Sequence, residues 1–331
     1  MTSSSDAATA LFKSAVKGER RSLGKLLTAI ERGGDQAEII AGLAHQVSGN
    51  THVVGITGAP GSGKSTLTGR LLKLFSEAGD KLAVLAVDPS SPLTGGAILG
   101  DRIRMDDLAG EESFIRSMAT RGHSGGLALA VPVSGEEGST IQLFDAVGYE
   151  PVIIETVGVG QVEVDVAGAA DTTVVVVTPG MGDAVQANKA GLLEVADIFV
   201  VNKSDRPGAS DARRDLELML DLGHVSGLEQ MTGYRPPIIM ANSLEGTGAD
   251  EVLDAIKSHA EYLRNSGKIH IRQKDRLVME IQNRIELLIG STASHILESD
   301  LGANSITKVL DRKISPAEAA KSIVGSIIAS E

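Results

Sequence analysis

Six short runs constrain this chain more than anything else in it: "HVVGITG", "LAVLAVD", "PVIIE", "TTVVVVT", "IFVVNK" and "PIIMANS". They are rich in Val and Ile and do not alternate apolar with polar residues. A strand with one wet face alternates, so strands of this kind are buried on both faces. Helical patterns separate them, which points to an α/β architecture, a mainly parallel sheet with helices on each side. The runs occupy residues 49–262, and this span is expected to be one domain. At 331 residues and 42% hydrophobic content, the chain is long enough to bury a large core and too apolar to be disordered.

Helical segments flank the alternating region. Residues 1–48 read as an N-terminal extension of two or three amphipathic helices; in "SLGKLLTAIERGG", Leu23, Leu26, Leu27 and Ile30 share one face until the glycine pair stops the helix. Residues 263–331 are helical again. Leu277, Val278, Ile281, Ile285 and Leu288 form an apolar stripe with charge opposite, and "SPAEAAKSIVGSII" begins like a capped helix. That stripe either docks onto its own domain or forms a dimer interface.

Composition excludes several classes. A net charge of −12 argues against a partner gripped through nucleic-acid phosphates, and 2% aromatics with no Trp leave few base-stacking platforms. No stretch approaches the roughly 20 apolar residues of a membrane span. The N-terminus lacks the basic start and apolar core of a secretory signal, and there are no cysteines, so the expected compartment is the cytoplasm.

One junction between a strand and a helix carries chemistry. In "VVGITGAPGSGKSTLTGRLL" the six residues Gly58, Ala59, Pro60, Gly61, Ser62 and Gly63 have almost no side chain, and Lys64, Ser65 and Thr66 open a helix. Gly58, Gly63, Lys64 and Ser65 fit G-x-x-x-x-G-K-[ST], the phosphate-binding loop. Missing side chains let successive N–H groups point at a phosphate, and the helix adds its positive end. Lys64 is expected to reach the β and γ phosphates, and the Ser65 hydroxyl to hold magnesium.

The base must be read elsewhere. "ADIFVVNKSD" ends in Asn202, Lys203 and Asp205, the N-K-x-D pattern that recognises guanine. A carboxylate at Asp205 can accept from both N1–H and the 2-amino group of guanine, and adenine offers neither donor there. Asn202 is expected to brace the loop and Lys203 to lie along the base plane. Asn242, Ser243 and Leu244 in "ANSLEGTG" stand where GTPases place a last base-contacting loop, usually Ser-Ala; the departure matters little if backbone N–H groups make the contact. The ligand expected is GTP or GDP with magnesium.

Sensing of the γ-phosphate is expected in "PVIIETVGVGQ", where Glu155 precedes Gly158 as the acid of D-x-x-G does in many GTPases. Lys64, Glu155 and Gly158 are therefore the candidate catalytic set: Glu155 holds magnesium through water or orients a nucleophile, and the Gly158 N–H meets the γ-phosphate. Val159 stands where a water-orienting Gln often follows, with Gln161 the nearest alternative, so unaided hydrolysis should be slow. Asp88 and Asp101 are either further magnesium ligands, with Ser65 and Glu155, or turn-forming and capping residues.

Taken in order, "GAPGSGKST", "VDPSSP", "GDRIRM", "FIRSMATRGHSGGLA", "ETVGVGQ", "TPGMGD" and "NKSD" resemble the MeaB/ArgK-type GTPases, G-protein chaperones of methylmalonyl-CoA mutase, over nearly the whole chain. The resemblance implies a P-loop NTPase fold and a homodimer built through the C-terminal helices. It also implies GTP hydrolysis that gates the loading of adenosylcobalamin onto an acyl-CoA mutase and protects or reactivates that enzyme. Methylmalonyl-CoA, isobutyryl-CoA and 2-hydroxyisobutyryl-CoA mutases all fit. Residues 101–105, 155–161 and 178–189 are then the segments that would answer to the nucleotide, with Gln186 and Lys189 as contacts. Arg102, Arg104, Arg116 and Arg121 are either transition-state cations or surface ion-pair residues. Two other classes compete: a kinase using the same loop, which would need an acceptor pocket and a base, and a nickel metallochaperone, disfavoured because the chain has seven scattered histidines and no cysteine.

Overall fold

The computed structural model describes residues 2–49, 51–89, 110, 112–120, 136–156, 168–180, 195–225 and 233–329. They divide into two compact units, Met1–Arg276 and Leu277–Glu331.

The first unit begins with three helices, α1 (Thr2–Val16), α2 (Arg20–Arg32) and α3 (Asp35–His45). Gly33 and Gly34 both take positive φ, 71° and 79°, the left-handed side of the map that stops α2 and turns the chain into α3. Then come β1 (Val53–Thr57), α4 (Lys64–Ala78), β2 (Ala83–Pro89), β3 (Phe114–Thr120), α5 (Glu136–Ala146), β4 (Val152–Thr156), β5 (Thr172–Val177), β6 (Ile198–Asn202), α6 (Ala209–Val225), β7 (Ile238–Ala241), α7 (Ala249–Asn265) and the start of α8 (Lys268–Glu298).

The strands form one seven-stranded sheet in the order β3-β2-β4-β1-β5-β6-β7, and every pairing is parallel. The chain winds outward from β1 to β2 and β3, returns at β4, then leaves on the other side through β5, β6 and β7. A crevice therefore opens at the carboxyl ends of β1 and its neighbours, where such sheets bind ligands. β3 was not among the strands expected; "FIRSMAT" mixes Arg116, Ser117 and Thr120 with apolar residues because it is an edge strand, paired only with β2 among the described strands.

Both faces of the sheet are covered, as the unalternating runs require. Val54, Ile56, Val174, Val176 and Val200 pack with Leu67, Leu71 and Phe75 of α4 and with Val252 and Ile256 of α7. On the other face Val53, Leu85, Val152 and Ile154 join Phe144 of α5 and the stripe Leu23, Leu26, Leu27 and Ile30 of α2. The N-terminal helices thus complete one layer of the sandwich. Each of those fully buried side chains contributes about 1.5–3 kcal/mol. Beyond β5, Phe199 and Val201 meet Leu216 and Met219 of α6.

The amino ends of the strands carry a buried polar network. Asp171, just before β5, accepts from Val53 N–H at 2.9 Å, and Asp197, just before β6, accepts from Thr173 N–H at 2.9 Å. From the first turns of α8, Arg272 donates to both Asp197 carboxylate oxygens at 2.7 Å, and Arg276 meets Asp171 at 3.2 Å. Thr172 Oγ1 lies 2.7 Å from His52 Nε2 and 2.8 Å from His259 Nδ1. One hydroxyl has one proton, so it donates to one ring and accepts from the other. Burial lowers the pKa of His52, reinforced by Arg264, Arg276 and Arg272 against the pull of Asp171. Burial likewise lowers His259 to about 4, with Asp197 opposing. Both rings are neutral near pH 7. Burial alone would lower the Arg272 pKa, but its bonds to Asp197 prevail and raise it.

The second unit contains the rest of α8, α9 (Asp300–Leu310) and α10 (Pro316–Ala329). α9 follows α8 after Ser299, and in its first turn Gly302 packs so closely on the end of α8 that a Cβ would overlap the backbone of Ile296 and Leu297. α10 starts with a reciprocal cap: Ser315 N–H donates to Glu318 at 2.8 Å, and Glu318 N–H donates to Ser315 Oγ at 3.2 Å. Leu277, Val278, Ile281, Ile285 and Leu288 are all exposed. No helix among the described residues is long and apolar enough to cross a membrane.

Candidate functional site

β1 delivers the chain to Gly58, whose φ of 139° and close approach to β5 leave no room for a side chain; a Cβ would overlap the Val176 carbonyl oxygen. At Gly63, φ 93°, a Cβ would overlap the Asn202 amide. Gly63 is also the N-cap of α4 and supplies no side-chain cap, and the start of a helix is a favourable place for an anion. Lys64 is buried, and its ammonium curls back to donate to the carbonyls of Gly58 at 2.7 Å and Ala59 at 3.1 Å. The Ser62 hydroxyl is fully buried and has no hydrogen-bond partner among the described residues. A glycine-built loop at a helix start, with a buried cation and a hydroxyl unpaired among the described residues, is suited to phosphate.

Glu155 sits at the end of β4, beside β1 and in register with Ile56. It is 5% exposed and accepts from the Ser65 hydroxyl at 2.5 Å. A hydroxyl and a carboxylate side by side at the mouth of a phosphate loop are hard oxygen donors of the kind magnesium takes, so this pair fits the ion. The Asp88 backbone lies in β2, opposite Ala119 of β3. Asp101 and Gly158 lie outside the described residues, as do Arg102, Arg104, Arg121, Val159, Gln161, Gln186 and Lys189. Arg116 is described, and its guanidinium is committed to Glu31 of α2, the ion-pair alternative.

The residues expected to read the base form a second loop cluster bonded to the first. Asn202, at the end of β6 and 2% exposed, donates through Nδ2 to the Ser62 carbonyl at 2.7 Å. Its Oδ1 accepts from Ser243 N–H at 3.0 Å and from Ser243 Oγ at 2.8 Å. One amide side chain thus joins the phosphate loop to the segment after β7. Lys203 adopts φ 58°, rare for a residue with a side chain, and its ammonium donates to the Gly61 carbonyl at 2.6 Å. Asp205 is exposed on the turn that follows. Asn242 closes the last loop: its N–H donates to Thr247 O at 2.9 Å, and its carbonyl accepts from Glu245 N–H and Gly246 N–H. Gly248, φ 81°, ends that loop where a Cβ would overlap the Met240 carbonyl oxygen.

One residue expected in the phosphate loop acts through an unexpected group, and one residue not singled out from the sequence also belongs here. Ser62 contributes its carbonyl rather than its side chain, which no motif encodes. Arg70, on α4, donates through Nε to Ser243 O at 2.9 Å and through Nη2 to Leu244 O. An arginine seven residues after a loop glycine on a helix looks like any surface cation until β7 brings the loop to it.

The comparisons with known proteins agree with this geometry. The profile of the family described as Methylmalonyl Co-A mutase-associated GTPase MeaB matches residues 23–295. A Pyrococcus horikoshii protein named as a GTPase is 42% identical over 94% of this chain and 96% of its own length. The Escherichia coli GTPase ArgK is 37% identical over 78% of each chain. The mouse mitochondrial protein named methylmalonic aciduria type A homolog is 32% identical, covering 83% of this chain and 68% of that one. Among solved structures, one titled LAO/AO transport system kinase superposes with a TM-score of 0.67 at 27% identity, covering 97% of this chain and 98% of that one. With a phosphate loop on β1, a base loop bonded to it and a family match over most of its length, the chain belongs to the methylmalonyl Co-A mutase-associated GTPase MeaB family and is a P-loop GTPase that binds guanine nucleotide.

Proposed function

We propose that this GTPase gates the loading of adenosylcobalamin onto a cobalamin-dependent acyl-CoA mutase, methylmalonyl-CoA mutase or a close relative, and protects or reactivates that enzyme. Support comes from the family description and from the mouse relative's name. The structural observation that carries the nucleotide half of the reading is the Asn202 bridge between the Ser62 carbonyl and Ser243. It holds the phosphate grip and the base-reading loop at a fixed separation, as a single nucleotide spanning both requires.

In this reading Lys64 releases the carbonyls of Gly58 and Ala59 and turns to the β and γ phosphates. Ser65 and Glu155 would hold magnesium, which when bound would supply positive charge against that developing on the phosphates. Asp205 accepts from N1–H and the 2-amino group, and a backbone N–H of the 242–244 loop donates to the 6-oxygen. Water attacks the γ-phosphorus as the bond to the β–γ bridging oxygen breaks, giving GDP and phosphate. The Gly158 N–H steadies the transferred group. Asp88 and Asp101 would complete the magnesium shell. Hydrolysis is slow until the mutase binds, because Val159 cannot orient the water.

The exposed stripe Leu277, Val278, Ile281, Ile285 and Leu288 supports a homodimer joined through residues 263–331, since an apolar face of this length on a helix needs a cover. The cytoplasm is the compartment assigned.

Asp205→Asn tests the base reading: GTP affinity should fall at least tenfold and xanthosine triphosphate should gain. Unchanged GTP affinity sinks it. The partner reading is tested by capture on the full chain loaded with GDP or with a non-hydrolysable GTP analogue. A cobalamin-binding mutase retained in a nucleotide-dependent way, and altering the hydrolysis rate, is the expected result; a phosphorylated acceptor in its place would make the protein a kinase.

A further inference from the structure

We propose that Arg70 is a specificity-determining positioning residue, which aims the Leu244 amide at the 6-position of the purine. The inference rests on the reading that this site takes guanine.

Arg70 lies on α4, the helix whose first residues, Lys64 and Ser65, belong to the phosphate loop. Its guanidinium spans two successive peptides, with Nε donating to Ser243 O at 2.9 Å and Nη2 donating to Leu244 O. A trans peptide is planar, with its N–H opposite its C=O. Fixing the Ser243 carbonyl toward α4 therefore turns the N–H of Leu244 away from α4. The amides on either side are consumed inside the protein: Ser243 N–H donates to Asn202 Oδ1 at 3.0 Å, and Glu245 N–H donates to Asn242 O at 3.1 Å. Among the described residues, none accepts from the Leu244 N–H. Of three consecutive amides, one remains for a ligand; the carbonyl that shares its peptide plane, that of Ser243, is held by Arg70, which also holds the next carbonyl, that of Leu244.

The Leu244 side chain cannot set that direction, being 79% exposed. Asn202 anchors only the start of the loop. A fork of two parallel donors suits two adjacent carbonyls, whereas an ammonium at the same place is a point charge with no fixed geometry. Arg70 also links the helix that opens at the phosphates to the loop that reads the base.

The 6-oxygen accepts, so the signature is loss of discrimination at that atom alone. GDP, inosine diphosphate and 6-thioguanosine diphosphate separate the contributions. The thio analogue keeps both donors read by Asp205 but presents sulfur, a poor acceptor, at the 6-position; the inosine nucleotide keeps the oxygen and lacks the 2-amino group. The full-length wild type should bind GDP about tenfold more tightly than 6-thioguanosine diphosphate. In Arg70→Ala that ratio should fall to about two, while the ratio of GDP to inosine diphosphate stays within twofold of wild type. Arg70→Lys should fall between them, and thermal melting of each variant controls for folding. An unchanged thio ratio in Arg70→Ala overturns the proposal, and so does an equal loss of both ratios, which would mean general loosening. A wild type that prefers GDP to inosine diphosphate yet ignores the sulfur overturns the role of Arg70 and leaves the guanine reading standing. A wild type that does not distinguish GDP from ADP removes the guanine reading and this proposal together.

Discussion

The two ends of the same sheet use similar groups for opposite purposes. At the carboxyl ends, Gly63 caps α4 with no side chain, the Ser62 hydroxyl has no hydrogen-bond partner among the described residues, and the buried Lys64 ammonium rests on loop carbonyls. At the amino ends, Asp171, Asp197, Thr172, His52 and His259 meet one another and the guanidinium groups of Arg272 and Arg276. Buried polar groups must be satisfied. Where the chain supplies the partner, the result is stability; where it withholds the partner, the result is affinity for something outside. The contrast predicts that mutations at one end act on melting and at the other on binding.

The largest effect should come from Asp197→Ala. It strands Arg272 and the Thr173 amide, costing about 4 kcal/mol as buried ion pairs do when one partner is removed, while GDP affinity of the folded fraction stays unchanged. Denaturant melts paired with nucleotide titration measure both. Lys64→Ala should show the reverse, a loss of about 100-fold in GTP affinity, roughly 2.7 kcal/mol, without a fall in melting temperature of the nucleotide-free protein. A variant that lowers both readouts alike would erase the distinction between the ends.

A smaller effect is expected from pH. In the folded protein the His259 pKa lies at about 4, below its ordinary 6.5, because burial penalises the charged ring. The unfolded chain therefore binds more protons between those values. Stability is complete above pH 6.5 and is lost as pH falls toward 4, on the order of 2 kcal/mol by pH 5. His52 acts in the same direction. His259→Gln should flatten the stability profile over this window. An equally steep profile in that variant would assign the acid sensitivity to other groups.

The strands were legible because five of the six expected runs, those of β1, β2, β4, β5 and β6, are buried on both faces and their residues say so. "PIIMANS" was legible for its β-branched residues, although β7 is only half-buried up to Ala241. β3 was missed because an edge strand meets solvent, so Phe114 and Ile115 stand beside Arg116 and Ser117 and the period is blurred. The phosphate loop and N-K-S-D could be singled out because each pattern lies within consecutive residues. Arg70 was not, since its partners are Ser243 and Leu244, far along the chain. The same holds for Asp171 and Asp197, which read as turn residues just before strands. Arg116 had two readings, and only the position of α2 over the sheet edge selects Glu31 as its partner.

The sequence alone determined the parallel sheet, the glycine-built phosphate loop and the kind of base this protein can read. Each depends on local stereochemistry: absent side chains, β-branched runs, a carboxylate at a strand end. Tertiary structure decided which of those pieces touch. It put Asn202 between Ser62 and Ser243, Arg70 under the last loop, and Arg272 on Asp197. Such bonds join residues remote in the chain, and their geometry exists only once the strands have taken their order in the sheet.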